Sequence, residues 1–309
     1  MRVAMALPLV ASVLLWLAGA RLGRRLPPAT AVRLLTAAML ATALATGFTL
    51  AVAGFLLVAQ LPVVALLGHW STTVVESAEP LPDALSGAAG LTVALLLVAS
   101  VRRAVHAGRD LVRAALVCRR LGPAVAGLVI VEDDVPDAYA LPGLGGRVVV
   151  STAMLRALPA DERRVLLAHE AAHLTHRHHV YVQLGELAAA ANPLLRPAAA
   201  AVRHAVERWA DEVAAEEVGD RPLTARALAR AGLARAAARR QSPAVALAGA
   251  DSAVVDRVHA LLAAAPRRRP LLAGALTALI LVATAGAAVT ARDTEARFEL
   301  AEVAYTASR

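Results

Sequence analysis

The sequence of 309 residues lacks several residue types, and each shortage narrows the class of protein. Aromatic residues make up only 3% of it, which argues against an outer-membrane barrel with aromatic girdles. One cysteine, Cys118, cannot form an intramolecular disulfide or a cysteine-based metal site. Charged residues are only 18% and hydrophobic residues are 58%, with a mean hydropathy of +0.59. This balance excludes a disordered chain, a coiled coil and an ordinary soluble enzyme.

Lysine is absent, so all 32 basic residues are arginine and the net charge is +8. Together with the excess of alanine, this indicates a compositional bias of the whole genome. The high charge is therefore weak evidence for a nucleic-acid partner, and we expect no direct contact with nucleic acid. The positions of the arginines are more informative than their number.

Four stretches without charge are long enough to cross a bilayer, which takes about 20 residues. They cover residues 3–20, 34–68, 84–101 and 270–291. The second is too long for one straight helix. Gln60 and Pro62 predict a crossing over about 34–60, followed by a kinked, tilted or re-entrant segment over 60–68.

The first stretch has an alternative interpretation as a signal peptide, because Ala18, Gly19 and Ala20 resemble a cleavage site. Three arginines follow this site at once, whereas only Arg2 precedes the apolar run. That order of charges favours a retained helix with its C-terminal end in the cytoplasm.

Loop charges predict the orientation of the other segments. Basic residues fill the first loop, the stretch after the third segment and the stretch before the fourth, whereas the loop over 69–83 has acidic residues alone, Glu76, Glu79 and Asp83. We therefore expect a multi-pass protein of the plasma membrane with three spans in residues 1–101. Residues 102–269 form a cytoplasmic domain, 270–291 a fourth span and 292–309 a short tail; both termini lie outside.

The cytoplasmic region predicts a small sheet and several helices. Residues 128–131 and 147–151 are short β-branched runs, and the Pro- and Gly-rich stretch between them predicts a broad turn. A helix begins near Pro159, where Asp161 and Glu162 suit the positive end of the helix dipole. The fold class is thus a mainly α membrane protein with an α+β cytoplasmic domain.

That helix carries the pattern H-E-x-x-H at His169, Glu170 and His173. A spacing of four residues places both imidazoles on one face, where they can share a metal ion. Two imidazoles suit zinc better than magnesium or calcium, and we expect one zinc ion per chain. Zinc lowers the pKa of a water that it holds to about 7, and Glu170 can accept a proton from that water. Chance occurrence of so short a motif is the alternative.

A hydrolytic zinc site needs a third protein ligand, and Glu207 is the best candidate. It lies on a predicted helix over 199–219, and Asp211 lies one turn later on the same face. Asp211 can fix the tautomer of a ligand imidazole through its distal N–H. A solvated acidic face is the alternative. His176, His178, His179 and His204 are weaker ligand candidates, and we assign the first three to the end of the helix or the lipid surface.

Three further segments receive assignments. Residues 180–202 are apolar, but a crossing there would put His173 and Glu207 on opposite sides, so we predict an interfacial helical hairpin. Arginines of a helix over 222–240 meet either lipid headgroups or solvent. Arg257 is a candidate substrate or transition-state contact.

These motifs together resemble the BlaR/MecR-type integral-membrane gluzincin peptidases. The resemblance rests on the H-E-x-x-H helix, the preceding run Gly146–Ser151, Asn192-Pro193 and the segment 207–211. It implies a zinc endopeptidase with His169, His173 and Glu207 as ligands and Glu170 as the catalytic base. The hairpin over 136–151 and the Arg257 segment also resemble the HtpX and CAAX-prenyl-protease branch. Only residues 292–309 follow the last predicted span, so the sequence gives no support for direct β-lactam sensing by a fused penicillin-binding domain of the kind found in the sensor proteins.

Three functions follow as hypotheses. The first is a protease that cleaves a cytoplasmic protein, such as a transcriptional repressor in a signalling pathway. The second is a quality-control protease of the HtpX kind. The third is a signalling or scaffold protein with a structural zinc. If a protease, it can bind an extended substrate as an added strand along Val148, Val149 and Val150, provided that this strand has a free edge.

Overall fold

The computed structural model describes residues 2–77, 81–121, 124–143, 145–240 and 249–307. Their helices are α1 (Arg2–Arg25), α2 (Pro28–Val58), α3 (Pro62–Gly68), α4 (Thr72–Ser77), α5 (Asp83–Arg120), α6 (Thr152–Ala157), α7 (Ala160–Thr175), α8 (His178–Ala191), α9 (Arg196–Val218), α10 (Arg221–Arg240), α11 (Gly249–Leu262) and α12 (Pro270–Ala307). The strands are β1 (Leu128–Val131), β2 (Ala138–Leu141) and β3 (Arg147–Ser151). The structure is therefore mostly helical, with a small three-stranded sheet.

Within the described residues, four helices are long and apolar enough to span a membrane, namely α1, α2, α5 and α12. Each of the four charge-free stretches begins within one of them, as predicted. The predicted break near Gln60 is also confirmed, because α2 ends at Val58 and α3 begins with Pro62 in its first turn.

Two of these helices extend well beyond the predicted spans. Helix α5 continues to Arg120, and α12 continues through the predicted tail to Ala307. Residues 292–307 contain neither Pro nor Gly and are rich in helix-forming Ala, Glu and Arg, so nothing ends the helix at the apolar boundary. The predicted tail over 292–309 is thus part of one long helix as far as residue 307. Residues 308 and 309 lie outside the described part of the chain, as does Glu79 of the acidic loop.

Small residues allow the membrane helices to approach closely. A Cβ atom built on Gly54 of α2 would lie 2.5 Å from the Cα atom of Gly90 on α5. No side chain fits into that gap, so the two glycines set the distance between the helices. Close contact through glycine is a common way for helices to associate in a membrane, where burial of apolar surface contributes little.

The segment over 180–202 forms a helical hairpin, as predicted. Helices α8 and α9 are joined by a 3₁₀ turn at Pro193–Leu195. Helix α8 packs against α2 and α5, and α9 packs against α1 and α2. The shared core includes Leu15, Leu35, Met39 and Val202. Asn192 at the tip donates a hydrogen bond of 2.8 Å to the hydroxyl of Ser12 near the middle of α1. The hairpin therefore packs against helices that are candidate membrane spans.

The sheet has the strand order β1-β3-β2, with β1 parallel and β2 antiparallel to β3. The strands at 128–131 and 147–151 were predicted, whereas β2 falls in the stretch interpreted as a turn. Strand β2 has the sequence Ala-Tyr-Ala-Leu, which lacks the β-branched residues that marked the other two strands. Because β3 is the central strand, the proposal that a substrate pairs with Val148, Val149 and Val150 is wrong: both edges of that strand are occupied.

Candidate metal centre

His169 and His173 project from one face of α7, the helix that begins after Pro159 with Asp161 and Glu162 in its first turn. Their Nε2 atoms lie 3.2 Å apart. Glu207 of α9 approaches from the other side, and its two carboxylate oxygens are each 3.7 Å from one of these nitrogens. The α8–α9 hairpin makes this meeting possible, because it brings α9 back beside α7.

The three donors fit a zinc ion. Two imidazole nitrogens and one carboxylate oxygen, all within 4.8 Å of one another, are a set that can hold a metal. At zinc–ligand distances of about 2.0–2.2 Å, tetrahedral ligand atoms are separated by roughly 3.3–3.6 Å. The separations of 3.2 and 3.7 Å therefore require little movement of the side chains. Three protein donors would leave one position open.

Asp211 supports this donor set from behind, as predicted. One of its oxygens is 3.0 Å from Nδ1 of His169 and can accept a hydrogen bond from it. This contact favours the tautomer with the proton on Nδ1, so Nε2 of His169 is free to bind a metal. The Asp211 carboxylate is buried and also binds Arg257 through two hydrogen bonds, of 2.6 and 2.8 Å. Arg257 reaches Glu207 as well, at 3.0 Å.

These contacts explain the electrostatics of the site. Burial raises the pKa of Asp211 and Glu207, but His169 and Arg257 outweigh burial and lower both, so both carboxylates are ionised. Burial lowers the pKa of His169, but hydrogen bonds to Asp211 and Glu207 raise it to about 9. Burial and the neighbouring His169 lower the pKa of His173 to about 4.

Glu170 is buried and faces the same cavity, which has a volume of about 430 Å³. Burial raises the pKa of its carboxyl, although His169 and Arg235 act in the opposite direction. A carboxylate of raised basicity beside a metal site has the properties of a general base. All six residues predicted for the metal site and its surroundings line this cavity, namely His169, Glu170, His173, Glu207, Asp211 and Arg257.

Sequence reasoning placed His178 at the helix end or the lipid surface and Arg235 against lipid or solvent, but the structure brings both to this cavity. His178 is buried, and its Nδ1 atom lies 3.1 Å from Nδ1 of His173. The helix is broken at Arg177, whose positive φ of 50° turns the chain, so the side chain of His178 returns to the site without any helical spacing that a sequence pattern could reveal. Arg235 binds the carbonyl oxygen of Ala138 at 2.7 Å and so joins α10 to β2. His204, a weaker ligand candidate, lines a different cavity beside Arg24 and Asp256.

Comparison with known proteins shows that part of this region is similar to a peptidase family. Residues 109–192 match Peptidase family M48. The match covers β1 to α8 and includes His169, Glu170 and His173, whereas Glu207 lies beyond it. It indicates a protease. A stretch of 63 residues is also 43% identical to a protein described as a "Protease HtpX homolog" from Aeropyrum pernix.

That similarity covers 20% of this chain and 20% of the relative, so the chain spans about a fifth of the length of the protein it matches. Both findings are similarities to known proteases over part of the chain, and the four apolar helices are long enough to span a membrane. The narrower resemblance to the BlaR/MecR branch stays a prediction.

Proposed function

We propose that this protein is an integral-membrane, zinc-dependent endopeptidase that cleaves proteins at the cytoplasmic side of the plasma membrane. The observation that carries the proposal is the meeting of His169, His173 and Glu207 in one cavity with the buried carboxyl of Glu170. The match to Peptidase family M48 and the four apolar helices support it.

His169, His173 and Glu207 would hold the zinc ion. When bound, zinc polarises the carbonyl of the scissile peptide and makes an attacking water more acidic. Glu170 accepts the proton of that water and later passes it to the leaving amine. Its burial supports this role, because a carboxyl of raised pKa can both take and return a proton near neutral pH.

Arg257 acts mainly on the site itself. Its guanidinium is 11% exposed and is bound to Asp211 and Glu207. These contacts hold the Glu207 carboxylate toward the two imidazoles and neutralise part of the negative charge behind them. We propose a positioning role for Arg257 in place of the predicted contact with substrate.

Because β3 is the central strand, we propose that an extended substrate pairs with the edge strand β2 instead. In the antiparallel pair, the N–H of Ser151 donates a hydrogen bond to the carbonyl of Asp137. The main-chain N–H and C=O groups of Tyr139 and Leu141 therefore also point toward β3, and those of the alternate residues point away from it. The main-chain groups of Ala140 thus point to the free edge of β2, which lines the cavity with Tyr139 and Pro142. An extended substrate paired there would lie across the metal site. Arg235 occupies the carbonyl of Ala138 and limits the pairing at that end.

Two substrate classes remain. Similarity to an HtpX homologue favours a quality-control protease that acts on membrane proteins. Cleavage of a transcriptional repressor is the second hypothesis, and it rests only on the resemblance to sensor proteins. The third hypothesis is a signalling protein with a structural zinc. The set of three donors argues against it, since structural zinc sites normally have four protein ligands.

A substrate-trapping experiment tests the proposal and separates these classes. The Glu170→Gln protein, expressed in cells without the unmodified protein, should retain bound substrates that the unmodified protein cleaves, and mass spectrometry should find membrane proteins among them. Glu217→Gln, an exposed position on α9, is the control and should trap nothing. Cleavage by the Glu170→Gln protein at the unmodified rate would exclude Glu170 as the base.

A further inference from the structure

His178 contacts Nδ1 of His173, the ring nitrogen that does not face His169. The two Nδ1 atoms are 3.1 Å apart, while Nε2 of His173 faces Nε2 of His169. A neutral imidazole that gives one nitrogen to a metal carries its proton on the other nitrogen. We propose that Nδ1 of His178 accepts a hydrogen bond from this Nδ1–H of His173 and thereby fixes the tautomer and the ring orientation of the ligand. The inference rests on the proposed zinc site.

The surroundings hold His178 in one orientation. Its side chain is 1% exposed, and its ring stands nearly perpendicular to that of His173, at an interplanar angle of 89°. Trp209 of α9 covers the ring at a centroid distance of 4.7 Å. The guanidinium of Arg33 on α2 lies 4.9 Å from the centre of the Trp209 ring. Three elements thus keep the acceptor nitrogen in place.

Packing alone does not account for a histidine at this position. If Nδ1 of His178 accepts a hydrogen bond, the proton of His178 is on Nε2, and in the described structure that atom is buried without a hydrogen-bond partner. A buried unpaired N–H costs free energy. An apolar side chain would fill the same space without this cost, but it would leave the Nδ1 proton of His173 without an acceptor.

With this contact, each of the two ligand imidazoles has a polar partner at Nδ1, the nitrogen that would not bind the metal. Nδ1 of His169 is bound by Asp211 at 3.0 Å, and Nδ1 of His173 is bound by His178 at 3.1 Å. The first acceptor is an ionised carboxylate and the second is a neutral ring. Polar groups that orient metal-bound histidines typically change metal affinity by 10- to 100-fold when they are removed.

The test compares zinc affinities of the full chain in detergent, measured by competition with chelators of graded strength. His178→Leu should weaken zinc binding about 10- to 100-fold. His178→Asn, which keeps an acceptor oxygen, should bind within a few fold of the unmodified protein. His176→Leu is the matched control, because His176 also stacks on Trp209 but makes no hydrogen bond to a ligand imidazole in the described contacts. It should leave the affinity unchanged.

Unchanged affinity of the His178→Leu protein would overturn the inference, and so would equal losses in the Leu and Asn proteins. If the Leu protein does not fold, nitrogen NMR of zinc-loaded, ¹⁵N-histidine-labelled unmodified protein decides the matter. It should show one proton shared between the nitrogens of two imidazoles, and that coupling should vanish in the Asn protein. Failure of the unmodified protein to bind zinc would instead overturn the proposed function together with this inference.

Discussion

The amide of Asn192 donates a hydrogen bond of 2.8 Å to the hydroxyl of Ser12, a residue 180 positions earlier in the chain. Ser12 in turn bonds the carbonyl of Pro8 and lies 3.2 Å from the hydroxyl of Thr46 on α2. All of these polar groups are buried among apolar side chains. The contact ties the tip of the α8–α9 hairpin to two membrane helices and so fixes where α9 presents Glu207.

Loss of this contact should destabilise the membrane domain. We expect Asn192→Ala and Ser12→Ala each to lower the free energy of unfolding in detergent by about 1–2 kcal/mol, because each removes a buried hydrogen bond. The double variant should show a coupling energy of about 0.5–1.5 kcal/mol. Thr277→Ala, which removes only a bond to the backbone of its own exposed helix face, is the control. Purely additive effects would mean that the two side chains do not interact.

Arg257 and Asp211 form a second buried contact whose removal has a predictable cost. Arg257→Gln should lower the free energy of unfolding by about 3 kcal/mol, because the Asp211 carboxylate is 4% exposed and would keep its charge without its guanidinium partner. The exposed pair of Arg156 and Asp134 provides the matched control, and Arg156→Gln should cost less than about 1 kcal/mol.

The double variant Arg257→Gln, Asp211→Asn should recover part of the loss, since it also removes the buried Asp211 charge and leaves only the more exposed Glu207 carboxylate without the guanidinium. A loss equal to that of the exposed pair would show that Asp211 is stabilised mainly by His169, which lies 3.0 Å away.

The free edge of β2 makes a prediction about peptide substrates. Methylation of one backbone nitrogen in a cleaved peptide, away from the scissile bond, should raise KM by about 5- to 10-fold when that N–H pairs with Ala140, as expected for one lost hydrogen bond of about 1–1.5 kcal/mol. Methylation at the neighbouring residue, whose N–H points away from β2, is the internal control. Equal cleavage of every methylated peptide would show that side chains alone carry recognition.

Loop charges predict the orientation of the chain. A reporter that works only in the cytoplasm should be active when it is inserted near Ala160, at the start of α7, and inactive when it is fused to the C-terminus. A periplasmic or extracellular reporter should give the reverse result. If both fusion proteins report the opposite sides, the metal centre faces outward and the cytoplasmic substrate classes are wrong.

Much of the architecture could be predicted because its signals are local. Absence of charge marks the apolar helices, Pro62 marks the break after α2, and a spacing of four residues places His169 and His173 on one face. Glu207 and Asp211 could be paired with them because they lie one turn apart on a recognisable helix. A crossing of the membrane between the two pairs was excluded by the need for a shared metal.

The remainder depends on contacts between distant segments. Which strand lies at the centre of a sheet is decided by pairing, so the sequence of β3 does not show that both of its edges are used. His178 reaches His173 only because Arg177 adopts a left-handed conformation that breaks the helical spacing. The depth of the hairpin follows from the fit of Asn192 to Ser12, which neither segment reveals by itself.

The central claim is that His169, His173 and Glu207 hold a zinc ion that acts together with Glu170. Its most direct test is to measure zinc per chain and proteolysis on the same purified preparations of the unmodified, Glu170→Gln and His173→Ala proteins. We expect about one zinc and cleavage for the unmodified protein, about one zinc without cleavage for Glu170→Gln, and neither for His173→Ala. Full zinc content in the His173→Ala protein, or undiminished cleavage by the Glu170→Gln protein, would contradict the account.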